Sequence, residues 1–171
     1  MSVASGLASR TWLQLQEWGL GRMHGWATRI RPGRVRPAHL ETGLRGERAA
    51  LFHLRRLRYT IVASRWTSVK MRGDVDLIGW DGDWLCFVEV KTRRVRDLTP
   101  AESAVDRDKE EMLRRLAGAY LRSFTEEKRR LIPVRFDVVS VYLLRSGTEF
   151  DVFKGAFDFR ASHIQGGKRW G

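Results

Sequence analysis

Cysteine is almost absent: Cys86 stands alone among 171 residues. An internal disulfide and a thiolate cage for zinc are both excluded. Histidine is scarce as well, and His24, His39, His53 and His163 lie far apart with no ligand spacing, which argues against zinc held by imidazoles. No apolar run approaches the roughly 18 residues of a membrane helix; the run Trp84-Leu85-Cys86-Phe87-Val88 has strand length. A glycine-rich phosphate loop is missing, so nucleotide hydrolysis has no support. Acidic residues are the minority, 20 against 32 Lys and Arg, for a formal charge of +12. With 43% apolar residues the chain has enough material for a core, which excludes wholesale disorder. The expectation is a globular, cytoplasmic protein without an integral membrane segment. Its charge favours a polyanionic partner, nucleic acid first and an anionic membrane second. The excess of Arg over Lys suits bidentate phosphate contacts, although codon bias in a GC-rich genome is the preferred reading of that ratio, and net charge the better clue.

Three regions are expected: 1–39 as a helical extension and linker, 40–160 as the main domain, and 161–171 as a flexible basic tail. In the first, Trp12, Leu15, Trp18, Met23, Trp26 and Ile30 fall near one face of a helix, interrupted around Gly19 and Gly21. This amphipathic segment, with its arginines, is read as an extra helix on the domain; a membrane-surface adaptor is the weaker alternative. The Arg31-Pro32-Gly33-Arg34-Val35-Arg36-Pro37 stretch breaks it.

The main domain opens with a helix over about 42–58, whose apolar stripe is Leu44, Leu51, Leu54 and Leu57. Glu47 falls on the same stripe; a first-turn acid serving the helix dipole is the ordinary explanation. A short strand (59–64) and a polar loop (65–72) lead to a hairpin, 74–80 and 84–91, turned at Asp81-Gly82-Asp83. A long helix from after Pro100 to about 124 carries Val105, Lys109, Met112, Leu116 and Tyr120 on one side. A charged loop (126–130) precedes two strands, 134–144 and 148–157. The strand 84–91 is apolar on both faces and is expected at the centre of an α/β core.

That hairpin holds the anomaly. Glu89 and Lys91 are two apart, hence on one face and roughly 7 Å from each other along a strand. Asp76 begins the opposite arm and can reach that face. Two acids and a lysine at the end of an apolar strand are costly unless they pair or bind something. A salt bridge from Lys91 to either acid is the plain reading. Two converging carboxylates beside one cation leave excess negative charge, which a divalent metal relieves. Mg²⁺ or Mn²⁺ on Asp76 and Glu89, with Lys91 serving the attacking water or the developing charge, is the chemistry of phosphodiester hydrolysis.

The set Asp76 followed by Glu89-Val90-Lys91 resembles the Asp…Glu-x-Lys core of restriction-endonuclease-like nucleases. More closely, the chain is similar to the bacterial YraN family of endonuclease-like proteins. The likeness runs through Gly46-Glu47-Arg48-Ala49-Ala50, Tyr59-Thr60-Ile61-Val62-Ala63, Gly73-Asp74-Val75-Asp76-Leu77-Ile78, Phe87-Val88-Glu89-Val90-Lys91-Thr92-Arg93, Val105 with Lys109, and Arg135-Phe136-Asp137-Val138-Val139. It implies an α/β fold with a restriction-endonuclease-like mixed central sheet flanked by helices. A further likeness to archaeal Holliday-junction resolvases implies that Glu47 joins the catalytic set. The resemblance also implies DNA as substrate, branched or irregular DNA included, and a homodimer that cuts two strands. Lys109 matches the family's helix lysine and is expected on substrate phosphate. Arg93 and Arg94, following Lys91 at the mouth of the site, are candidate nucleic-acid contacts. Departures from the pattern are Asp74 where the family has Glu, and a longer 67–72 loop. The alternative function is a nucleic-acid-binding protein that keeps the nuclease fold and does not cleave. Two lesser readings are a structural ion pair for Asp137, with Arg135 as a partner, and packing for Trp66.

Overall fold

A computed structural model describes residues 38–94 and 106–159. The expected helix before Ile30, Val105 and the 161–171 tail lie outside the described residues. Helix α1 (Ala38–Arg56) leads to strands β1 (Thr60–Thr67), β2 (Asp74–Asp81) and β3 (Trp84–Arg93). Helix α2 (Arg107–Leu121), the short α3 (Glu126–Leu131), and strands β4 (Val134–Leu144) and β5 (Gly147–Phe157) follow. The five strands form one sheet in chain order, β1-β2-β3-β4-β5. Pairs β1–β2, β2–β3 and β4–β5 are antiparallel and β3–β4 is parallel. A parallel neighbour cannot be reached by a tight turn, so the chain crosses over through α2 between β3 and β4.

The expected mixed α/β architecture is therefore present, with β3 central. Its two apolar faces feed two cores. Leu85 and Phe87 join Ile78, Trp80, Phe136 and Val138 beneath Leu113, Leu116, Ala117, Tyr120 and Leu121. Of these, the last five are the buried face of α2. Cys86 and Val88 join Leu77, Val139 and Val141 beneath Ala50 and Leu54 of α1. Trp66 packs edge-on against Tyr120, with ring centroids 5.3 Å apart, as the packing reading expects.

Several elements differ from expectation, and β3 runs two residues past the expected 91, to Arg93. Helix α1 spans Ala38–Arg56 rather than 42–58, and its deepest line is Gly46, Ala50 and Leu54 at four-residue spacing, while Leu57 is exposed. Strand β1 continues past Ser64 through Arg65, which takes a left-handed φ of 46°, to Thr67. The polar loop is correspondingly shorter. Residues 126–131 are helical rather than a loop: Thr125 caps them by accepting from the Lys128 backbone N–H, with acids in the first turn and bases in the last. Helix α2 ends at Leu121, before the expected 124.

Candidate functional site

At the C-terminal end of β3 the hairpin opens. The β2–β3 ladder pairs Asp81 with Trp84 and runs to Leu77 opposite Val88. Beyond that pair, the Asp76 side chain accepts the Val90 N–H at 2.7 Å through Oδ2. A carboxylate thus stands where a backbone carbonyl would continue the ladder. The apolar alternation of β2 breaks at the same place, since Val75 and Leu77 fall in different cores although they are two apart.

Glu89, 4% exposed, lies on the α2 side of β3 with Leu85 and Phe87. Its Oε1 is 3.0 Å from Lys91 Nζ and its Oε2 is 2.9 Å from Lys109 Nζ. The first turn of α2 delivers Lys109. Asp106 caps that helix by accepting the Lys109 backbone N–H at 2.8 Å, which fixes where the lysine leaves the helix. Lys109 approaches Oε2 out of hydrogen-bonding alignment, so this buried oxygen has a charge partner but no aligned donor.

Glu47 arrives from the other layer. At Gly46 an added Cβ would meet Thr92 Oγ1 at 1.8 Å, so α1 lies against β3 as closely as a helix can. The next residue, Glu47, is set beside Arg65, whose Nε lies 3.7 Å from its Oε2 and 3.8 Å from Asp74 Oδ2. Gly46→Ala is expected to push α1 off the sheet or distort Thr92, at a cost of about 1–3 kcal/mol. Thr92→Ala in the same chain removes the hardest collision and should recover part of the loss; urea unfolding of the two variants checks this.

A cavity of about 700 Å³ forms between these elements, lined by Thr42, Gly43, Glu47, Asp76, Glu89, Val90, Lys91, Thr92 and Arg94. All four candidate catalytic residues, Glu47, Asp76, Glu89 and Lys91, border it. Arg94 joins them and also donates to Thr42 Oγ1 at 3.0 Å, tying the end of β3 to α1. Arg93 is in register with Tyr142 of β4 and does not line the cavity. Lys109, expected on substrate phosphate, is paired with Glu89 in this structure, which holds no nucleic acid. Arg65 was missed, because in sequence it falls in a stretch that reads as loop; only its position before Trp66 in a β-branched run hinted at a strand.

The electrostatics are those of crowded acids. Burial, reinforced by the Glu89 charge, pushes the Asp76 carboxyl up to about 7, against the opposing pull of the Val90 N–H and Lys109. Burial also raises Glu47, with Arg65 opposing and Asp74 adding to the rise. Burial would lower Lys109, but the Glu89 carboxylate outweighs it and the net shift is upward.

Among the described residues no group of three or more His, Cys, Asp or Glu side chains is arranged to hold a metal ion. Mg²⁺ and Mn²⁺ do not require one, because Mg²⁺ commonly binds through one or two carboxylates and keeps several waters. The donors here are all oxygen. One of them, Glu89 Oε2, lacks an aligned donor, and another, on Asp76, is held against its own ionisation. That chemistry fits a hard divalent cation and no soft one.

The fold and site define an α/β protein with a mixed sheet between helices and a cleft of carboxylates and lysines at the end of its central strand. The model of the uncharacterised protein family UPF0102 matches residues 46–141. A UPF0102 protein of Koribacter versatilis is 48% identical over 128 residues, 75% of this chain and 87% of the relative. One from Solibacter usitatus is 38% identical over 138 residues, covering 81% and 99%. One from Rhodococcus opacus is 43% identical over 106 residues, covering 61% and 85%. The chain belongs to UPF0102, the YraN family, as its motifs lead one to expect. No helix among the described residues is long and apolar enough to cross a membrane.

Proposed function

We propose that this chain is a metal-dependent nuclease that hydrolyses DNA phosphodiester bonds, with branched or irregular DNA among its substrates. The observation that carries the reading is the convergence of Glu47, Asp76, Glu89 and Lys91 on one cavity where two acids are held under charge stress. A bound Mg²⁺ or Mn²⁺ would polarise the scissile phosphate and acidify a water. Asp76 and Glu89 are the residues that would hold it. Lys91, released from Glu89 when that charge is otherwise neutralised, meets the negative charge developing on the phosphate. Glu47 across the cavity has a proton affinity raised by burial above that of an ordinary carboxylate, which suits a group that takes a proton from the attacking water. Arg93, Arg94 and Lys109 offer phosphate contacts, and a homodimer would present two such sites to two strands. Access to DNA makes the cytoplasm the expected location.

One observation favours a second reading, a DNA-binding protein that does not cleave: both Lys91 and Lys109 already neutralise Glu89. Purified protein incubated with duplex, single-stranded and four-way DNA, with and without Mn²⁺, separates the two. The nuclease gives metal-dependent product that is lost in Lys91→Ala and Asp76→Ala. Undiminished cleavage by those variants dismisses the assigned site. Salt-sensitive DNA retention without product, tightened by Glu89→Gln, establishes the binding protein instead.

A further inference from the structure

Residues 68–73 join β1 to β2, and their last ladder pair is Thr67 with Asp74, two residues before Asp76. The loop therefore leaves the sheet at the end where Glu89 and Lys91 sit. Its base is fastened. Met71 donates to the Ser68 carbonyl at 3.3 Å, and Lys70 donates through its backbone to Ser68 Oγ at 3.4 Å. Met71 packs on the core beneath α2. Gly73, at φ 93°, lies so close to α2 that a Cβ would meet Met112 Sδ at 2.1 Å. Arg65, at the root of the loop, bridges Glu47 and Asp74. The tip is the opposite: Val69 is fully exposed (105%) and is followed by exposed Lys70 and Arg72.

A single exposed valine is ordinary on a protein surface. An apolar tip on an anchored loop, followed by two cations and re-entering the sheet two residues before Asp76 of the cavity, is a more specific arrangement. Proteins that grip DNA backbone with Lys and Arg commonly insert an apolar side chain where stacking is broken, and the cost of insertion is least where bases are already unpaired.

We propose that the 68–73 loop is a DNA-contacting finger, in which Lys70 and Arg72 hold phosphates and Val69 enters interrupted base stacks. This rests on the DNA reading above and deepens it: the preferred substrate is DNA with a bulge, mismatch or branch rather than uniform duplex. Discrimination by one buried valine is worth roughly tenfold in affinity.

The test is equilibrium binding of the full chain, in chelator, to a uniform duplex and to the same duplex carrying a bulge or a four-way branch. Val69→Ser should lose roughly tenfold for the interrupted DNA and nothing for the duplex. Lys70→Ala with Arg72→Ala should weaken both, and reduce the slope of log K against log salt by about two. Melting curves should place both variants beside the parent, as surface changes do. An unchanged preference in Val69→Ser refutes the wedge, and an unchanged salt slope in the double variant refutes the finger. Failure of the parent to bind any DNA overturns the DNA reading as well. Binding as expected with no product in Mn²⁺ overturns the nuclease reading alone and leaves the finger standing.

Discussion

Replacing Asp76 by Asn is expected to stabilise the metal-free protein at pH 8 while reducing metal-dependent cleavage by roughly 10³-fold. The stability gain follows from the direction of the Asp76 shift. Its carboxyl is raised to about 7, first by burial and then by the Glu89 charge. A carboxyl raised on folding contributes stability that is fully present below its unfolded value, near 3.8, and is lost as pH rises through 7. At pH 8 the native state carries an ionised group that its surroundings resist. Asn removes that charge yet keeps an oxygen to accept the Val90 N–H. The gain is expected to be on the order of 2 kcal/mol at pH 8 and to vanish by about pH 4. Thermal unfolding in chelator at the two pH values measures it. Added Mn²⁺ should then raise the melting temperature of the parent and not of Asp76→Asn, since only a state that binds the ion is stabilised by it. If the variant instead melts lower than the parent at pH 8 in chelator, the lysines already balance Asp76, and the cluster is a structural ion pair.

The candidate site was partly legible in the sequence. Glu89 and Lys91 share a face because strand alternation is local, and the Asp81-Gly82-Asp83 turn places β2 beside β3. The direct 3.0 Å contact between their side chains, shorter than the strand spacing, required rotamers that sequence does not encode. Glu47 could not be assigned from spacing, because its place depends on how closely α1 approaches β3, a matter of Gly46 against Thr92, far apart in the chain. That assignment came from resemblance. Lys109 was placed on the inner side of α2, but its ion pair with Glu89 was not foreseen, since a crossover helix can set its first turn over any of several strand ends.

The misread elements have their own causes. Helix α3 buries none of its residues, so it has no apolar period to detect; only Thr125 and the change from acids to bases mark it. Strand β1 was cut short because its alternation fails at Arg65, where the backbone turns left-handed before Trp66 regains the core. In each case periodicity reports burial, and structure that does not alternate into a core escapes it.

Asp137→Ala is expected to be the most destabilising single change, at about 3–5 kcal/mol, lowering the melting temperature by roughly 10–20 °C. Asp137 is wholly buried on β4. Its Oδ1 accepts Arg135 Nε at 2.7 Å and the Gly155 N–H at 3.0 Å, and its Oδ2 accepts Tyr59 Oη at 3.1 Å. Arg135 also donates to Asp81 Oδ2 at 2.6 Å, and Lys154 reaches the same oxygen at 2.8 Å. The structural ion pair expected of Asp137 is thus the centre of a network joining β2, β4, β5 and the start of β1. Removing the carboxylate strips Arg135 Nε, the Gly155 N–H and the Tyr59 hydroxyl of their acceptor and leaves Asp81 as the carboxylate still facing the guanidinium, and breaking a buried pair from one side is what makes such losses large. Burial and the charges of Asp137 and Asp81 hold the Tyr59 hydroxyl above the usual phenol range. Its contribution is therefore present below pH 10 and fades only as pH rises through that higher value. Urea unfolding at pH 8 should show the full loss in Asp137→Ala and a smaller one in Asp137→Asn, which keeps an acceptor. Asp137 stands in register with Val88, one residue before Glu89, but none of the network's residues lines the cavity, so Asp137→Asn should retain whatever DNA affinity the parent has at temperatures where it is folded. A melting temperature within 2 °C of the parent for Asp137→Ala would mean that water replaces the carboxylate and that the network orders the sheet without stabilising it.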